Sequence, residues 1–130
     1  MKMSTEHINN QYPLSELTGR IIKCAIEVHE TLGPGFEEVF YQRALLRELT
    51  AEGLEATREV QIPVRYKDLD LGKKRIDFVV ENCMLEIKAK WKLEDADFVQ
   101  ALSYLKASGY GVGLLINFGG ATIEIKRLAN

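Results

Sequence analysis

The spacing at which apolar residues recur changes along this chain, and those changes restrict its fold more than any other feature. Leu14, Leu17, Ile21, Ala25, Val28 and Leu32 follow one another at three- and four-residue steps, which gathers them on one face of a helix. Gly33-Pro34-Gly35 ends that helix, because proline cannot continue the hydrogen-bond ladder and glycine accepts the backbone angles of a helix exit. A second helix is expected from about Phe36. Phe36, Val39, Phe40, Ala44, Leu45 and Leu49 form its apolar side, and Gly53 is its capping glycine. Glu37 and Glu38 fall in its first turn, where the helix dipole favours negative charge.

Beyond Leu54 the period drops to two. Val60, Ile62, Val64 and Tyr66 alternate as in a strand, and Pro63, which has no N–H to donate, assigns that strand to a sheet edge or a bulge. Residues 67–72 read as a turn. Ile76, Phe78 and Val80 form a second alternating run and Leu85, Ile87 and Ala89 a third, with Glu81-Asn82 as the polar turn between them. Helical spacing returns with Phe98, Ala101, Leu102 and Leu105 and closes at Gly109. Val112-Gly113-Leu114-Leu115-Ile116 is a nearly continuous apolar run, as expected of a strand covered on both faces. Ile123 and Ile125 mark a final strand. The expected order is ααβββαββ, an α/β (α+β) arrangement. No repeat or linker divides it, so one domain is expected over residues 14–130, preceded by a polar, flexible lead-in over residues 1–13.

The charge balance narrows the function. Seventeen basic residues stand against nineteen acidic ones, for a net charge of −2. A protein that coats nucleic acid carries a basic excess, so any nucleic-acid contact here needs a local patch, a metal bridge or a partner subunit. Two cysteines, Cys24 and Cys83, and two histidines, His7 and His29, are too few for a disulfide framework or a zinc site. No apolar run follows Lys2 as in a signal peptide, and none reaches the length of a membrane span. The expected location is the cytoplasm.

The second and third strands carry the main chemical argument. With Asn82-Cys83 as a two-residue loop, Val80 faces Leu85, Phe78 faces Ile87 and Asp77 faces Lys88. Phe78, Val80, Leu85 and Ile87 then share one face, which must be the core, and Asp77, Glu86 and Lys88 share the other. Two carboxylates and a lysine on one patch suit a hard divalent cation, Mg²⁺ or Mn²⁺. Such an ion activates water and stabilises charge on a phosphate. An ordinary half-exposed strand shows the same alternation of charged and apolar residues.

Gly35-Phe36-Glu37-Glu38-Val39-Phe40-Tyr41 reads G-x-x-E-x-x-Y. It is followed in order by Arg75-Ile76-Asp77-Phe78, Leu85-Glu86-Ile87-Lys88-Ala89, a run from Gln100 to Tyr104-Leu105-Lys106, and Gly113-Leu114-Leu115-Ile116-Asn117-Phe118-Gly119. This set resembles the GxxExxY protein family, a branch of the PD-(D/E)XK nuclease-like superfamily, over nearly the whole chain from about Leu14. The resemblance implies a restriction-endonuclease-like core with a mixed sheet flanked by helices. It implies a catalytic set of Glu38, Asp77, Glu86, Lys88 and Gln100, with Asp77 and Glu86 as metal ligands and Glu38 as a third carboxylate or the holder of a metal-bound water. Ile76 stands where the superfamily pattern has proline. Asp97 and Val99 stand where histidine and alanine are expected. Without any function, Glu38 is a favourable helix N-terminal charge and Gln100 a solvated helix residue.

Lys90, Trp91 and Lys92 extend the basic side of this patch. They are candidate nucleic-acid contacts, with Trp91 able to stack on a base, although a solvated strand end is the more ordinary reading. Tyr41 and Tyr104 are expected near the site or at the edge of the core, and His29 to bond a carbonyl at the glycine turn. Two functions are consistent with these residues. One is a Mg²⁺-dependent nuclease, a hydrolase of DNA or RNA phosphodiesters. The other is a non-catalytic interaction or oligomerisation module on the same fold. Self-association as a dimer, through the edge formed by residues 60–66, fits both.

Overall fold

The computed structural model describes residues 14–130, so the lead-in expected over residues 1–13 lies outside the described residues. Helix α1 (Ser15–Leu32) ends at Gly33, whose amide bonds the His29 carbonyl at 2.8 Å. Helix α2 (Glu38–Ala51) starts two residues later than expected. The reason is Tyr41. Its hydroxyl donates to the Gly33 carbonyl at 2.6 Å and accepts the Phe36 amide at 3.2 Å. That pair of bonds holds Phe36 outside the helix and leaves Glu37 as an extended N-cap.

Five strands follow in a single sheet whose spatial order is the chain order: β1 (Ala56–Tyr66), β2 (Leu69–Val80), β3 (Cys83–Lys88), β4 (Val112–Asn117) and β5 (Glu124–Ala129). Helix α3 (Asp95–Ser108) makes the crossover between β3 and β4, the one parallel pair; the other pairs are antiparallel. The order ααβββαββ and the mixed sheet flanked by helices agree with the expectation. Pro63 lies on β1, at the sheet edge.

Helices α1 and α2 cover one face of the sheet. Ile21, Ala25, Val28, Tyr41, Leu45 and Leu49 pack there against Phe78, Val80, Leu85, Ile87, Leu114 and Ile116. Helix α3 covers the other face, where Ala101 and Leu105 meet Ile62, Ile76, Val79, Met84, Leu115 and Leu128. All of β4 is buried, as its unbroken apolar run requires. Cys24 and Cys83 are free and buried. Burial pushes their thiols up, to about 11 and about 12, which keeps them protonated and unreactive.

Three further details differ from the expected pattern. The turn over residues 67–72 shrinks to Lys67-Asp68, because β2 already starts at Leu69; a slip of register at Val64/Arg65 absorbs the odd residue. The loop between β2 and β3 is Glu81-Asn82 rather than Asn82-Cys83, so Val80 pairs with Cys83 and Phe78 with Leu85. The two-residue shift keeps parity, and Phe78, Val80, Leu85 and Ile87 do share one core. Finally, Ile76 does not continue the face of Phe78 and Val80: it lies in the α3 core with its partner Val60. Both strands of the β1–β2 pair change face between these rungs. The change coincides with Glu59, whose φ of 57° is outside the strand range, and with Asp77 on β2.

Candidate functional site

Asp77 and Glu86 meet where β2 and β3 part. Ladder pairing between these strands is confined to the rungs from Phe78 to Val80. Beyond it, side chains replace the missing backbone bonds. The Asp77 amide donates to Glu86 Oε2 at 2.9 Å, and the Ile87 amide donates to Asp77 Oδ2 at 2.7 Å. Each carboxylate thus commits one oxygen to the opposite strand. Asp77 Oδ1 and Glu86 Oε1 take no backbone amide among the described residues, and the two carboxyls also share a side-chain hydrogen bond that raises Glu86. The register shift is what brings this about, since it sets Asp77 against Glu86 rather than against Lys88.

The electrostatics are those of crowded carboxylates. Glu86 is only 5 % exposed, and burial, followed by the Asp77 charge, pushes its carboxyl up to about 8; Lys88 acts in the opposite direction. Glu38, at the start of α2, is also raised, first by burial and then by the field of Asp77, while Lys88 and a hydrogen bond from Gln42 oppose the rise. Glu38 therefore belongs to the same electrostatic group as Asp77 and Lys88. The G-x-x-E-x-x-Y motif acquires a structural reason: Tyr41 pins the loop before α2 and so fixes the helix turn that carries Glu38. Gln42, one turn on, donates to Glu38 Oε1 at 3.1 Å and accepts from Arg58 Nη2 at 2.6 Å. Arg58 Nε is buried with no hydrogen-bond partner among the described residues.

Lys88 closes the site from the α3 side. Its ammonium donates to Gln100 Oε1 at 3.1 Å and lies 3.9 Å from Asp97 Oδ1. The structure therefore brings Glu38, Asp77, Glu86, Lys88 and Gln100 into one neighbourhood. Lys90 is different from its sequence neighbours. It bonds Glu94 at 2.9 Å and Asp97 at 2.8 Å, so its charge is used within the protein. Trp91 and Lys92 are exposed. Tyr41 is fully buried and stacks on Phe118 at 5.0 Å, and Tyr104 packs against the α3 core. His29 bonds a carbonyl, but that of Gly120 in the β4–β5 loop, at 2.9 Å.

Several supporting roles escaped the sequence reading. Asp97 is buried and accepts the Glu94 amide in a capping box. Burial pushes its carboxyl up, but the bonds from Lys90 and from Glu94, together with the charges of Lys90 and Lys88, outweigh this and hold it below its ordinary value. The acid-x-x-acid spacing before a helical run was a visible signal for that box. Gln42 was visible as the i+4 neighbour of Glu38. Asn117 had no local signal. Fully buried, it binds both the amide and the carbonyl of Lys90 and donates to Glu124. A Cβ on Gly119 would stand 2.4 Å from the Lys90 nitrogen, so glycine is required where the β4–β5 loop crosses the end of β3.

Among the described residues, no group of three or more His, Cys, Asp or Glu side chains forms a metal cage. The donor set fits a hard divalent cation nonetheless. Mg²⁺ accepts one or two protein carboxylates and completes its shell with water and substrate phosphate. A cation held by Asp77 and Glu86 would also offset the Asp77 charge that, after burial, raises Glu86. No helix among the described residues is long and apolar enough to cross a membrane.

Compared with models of known families, residues 15–128 match that of the PD-(D/E)XK nuclease superfamily. No curated protein and no solved structure matches the chain.

Proposed function

Because this chain belongs to the PD-(D/E)XK nuclease superfamily, we propose that it is a Mg²⁺- or Mn²⁺-dependent nuclease of the GxxExxY branch, with its site on Asp77, Glu86 and Lys88. The observation that carries this reading is the reciprocal bonding of Asp77 and Glu86. It aligns two carboxylates at a strand fork, each with one oxygen that no backbone amide takes. Members of the superfamily generally use divalent metals. When bound, such a cation lowers the pKa of a coordinated water and offsets charge on the scissile phosphate.

The chain's own groups have distinct tasks. Asp77 and Glu86 would hold the cation, with Glu38 as a further acidic acceptor beside them. Hydrolysis forms a bond from a water oxygen to phosphorus, breaks one P–O ester bond and delivers a proton to the leaving oxygen. The Lys88 ammonium orients the attacking water and offsets the charge that grows on the phosphate oxygens. Gln100 and Asp97 are positioning residues, since they act through Lys88. Arg58 and Gln42 play the same part for Glu38.

Calorimetric titration of Mg²⁺ and Mn²⁺ into wild type and Asp77→Ala/Glu86→Ala, with the same samples assayed on labelled DNA and RNA, tests the proposal. Metal binding and cleavage are expected in the wild type and lost together in the variant. A folded wild type that binds neither metal would overturn it, and the domain would then be an interaction or oligomerisation module.

A further inference from the structure

Strand β2 pairs with β3 only from Phe78 to Val80, but with β1 over nearly its whole length. The outer part of the β1–β2 pair therefore leaves the sheet as a two-stranded ribbon. Every residue from Leu69 to Arg75 is exposed, and so are Arg65, Tyr66 and Lys67. From Asp77 to the tip, about eight rungs at ~3.3 Å each give a reach of roughly 25 Å.

The charge of this ribbon opposes that of the rest of the chain. Residues 65–75 hold Arg65, Lys67, Lys73, Lys74 and Arg75 against Asp68 and Asp70, a net charge of +3. The remainder of the chain then carries −5, for the total of −2. Arg75 makes only a 3.9 Å contact with exposed Glu59, and Arg65, Lys73 and Lys74 make no ion pair among the described residues. The cations also occupy both faces. Lys74 pairs with Ile62 on the α3 side, whereas Lys73 and Arg75, paired with Pro63 and Gln61, lie on the opposite side. The tip adds exposed Tyr66, Leu69 and Leu71.

We infer that this ribbon inserts into the major groove of duplex DNA and presents the adjoining backbone to Asp77. The inference rests on the nuclease reading for its class of ligand. A groove about 12 Å wide admits a two-stranded ribbon and places phosphates along both of its flanks, which suits cations on both faces. The deep, narrow major groove of duplex RNA does not admit one. A second copy of the chain is a poorer occupant, since pairing two such ribbons sets like charges against each other. Continuity supports the assignment: Arg75 is two residues before Asp77 on the same strand, so a backbone held by the ribbon lies beside the carboxylates. The apolar tip offers contacts to thymine methyl groups.

The test is fluorescence anisotropy of a labelled DNA duplex of about two helical turns, titrated in EDTA from about 50 to 200 mM salt. The samples are wild type, Arg65→Ala/Lys73→Ala/Lys74→Ala and the charge-preserving Lys73→Arg/Lys74→Arg. The alanine variant should bind at least about tenfold more weakly and lose about three from the slope of log K against log salt. The arginine variant should bind as wild type. Mg²⁺ titration and thermal melts should be the same for all three. Equal binding by the alanine variant, or no duplex binding by the wild type, overturns the inference. So does a wild-type dimer that the alanine variant converts to monomers without any effect on DNA. A wild type that binds DNA through the ribbon but neither takes up metal nor cleaves would sustain the ribbon and sink the nuclease site.

Discussion

The two ends of β2 obey different rules. From Ile76 to Val80 the strand is wedged between the α1/α2 layer and α3, and Ile76, Phe78 and Val80 have no exposed surface. From Leu69 to Arg75 no described residue covers it, and its large apolar residues stand more than half exposed. Asp77 is the joint, where the strand changes face. The comparison teaches that burial, not strand formation, divides labour here. The inner end stabilises the fold and fixes the carboxylates, and the outer end stays exposed among the described residues.

Four experiments sharpen or break that contrast. The largest effect is expected inside. Phe78→Ala removes a buried ring that also lies under Arg58 and should cost about 3–5 kcal/mol, read as a fall in the denaturation midpoint. A loss below about 1 kcal/mol would mean that the inner end is not the anchor.

The next effect is a pH dependence at the joint. Glu86 titrates in the folded protein near 8 because it is buried beside Asp77, whereas in the unfolded chain it titrates at its ordinary, lower value. The folded state therefore holds the extra proton. Its contribution is fully present below the unfolded pKa and is lost as pH rises through the folded one. Metal-free protein should melt at progressively lower temperature from about pH 5 to pH 9, and Glu86→Gln should flatten that dependence. Saturating Mg²⁺ should restore stability most at the alkaline end. A wild-type profile parallel to that of Glu86→Gln would remove Glu86 as the source.

A smaller effect is expected from Gln100→Ala, which removes the hydrogen bond from Lys88 but keeps its 3.9 Å contact with Asp97 and leaves the carboxylates in place. Activity should fall about 10- to 100-fold while Mg²⁺ affinity changes little. A matching loss of metal affinity would show that Gln100 acts on the carboxylates rather than through Lys88. The smallest belongs to the outer end: Leu71→Ser should move stability by less than about 0.5 kcal/mol. A larger loss would mean that the ribbon packs on something and is not free.

The register of the β2–β3 hairpin shows how far local pattern reaches. The alternation of Phe78, Val80, Leu85 and Ile87 was sufficient to place them in one core, because a shift by two residues leaves every side chain on its face. It was not sufficient to choose between loops at Asn82-Cys83 and Glu81-Asn82. That choice rests on Glu81, which enters the left-handed region with φ 53° and bonds Glu55 through its amide and its carboxylate. Glu55 is a long-range partner, invisible in a local window. Likewise Lys90 reads as one more cation beside Lys92 until α3 folds back and delivers Asp97 and Glu94 to it.

The sequence alone determined the elements, their order, the apolar faces and the acidic and basic residues of the candidate site. These follow from periodicity, from glycine and proline, and from side-chain chemistry, all properties of neighbours along the chain. The tertiary structure decided what depends on residues far apart in sequence. It set Asp77 against Glu86, turned the outer β1–β2 pair away from the sheet, and tied Lys88 to Gln100 and Asp97. It also made Asn117 and Gly119 the support beneath Lys90. The physical reason is that a periodic pattern specifies which face a residue occupies. Which residues meet across that face is decided only when the helices pack and the strands find their register.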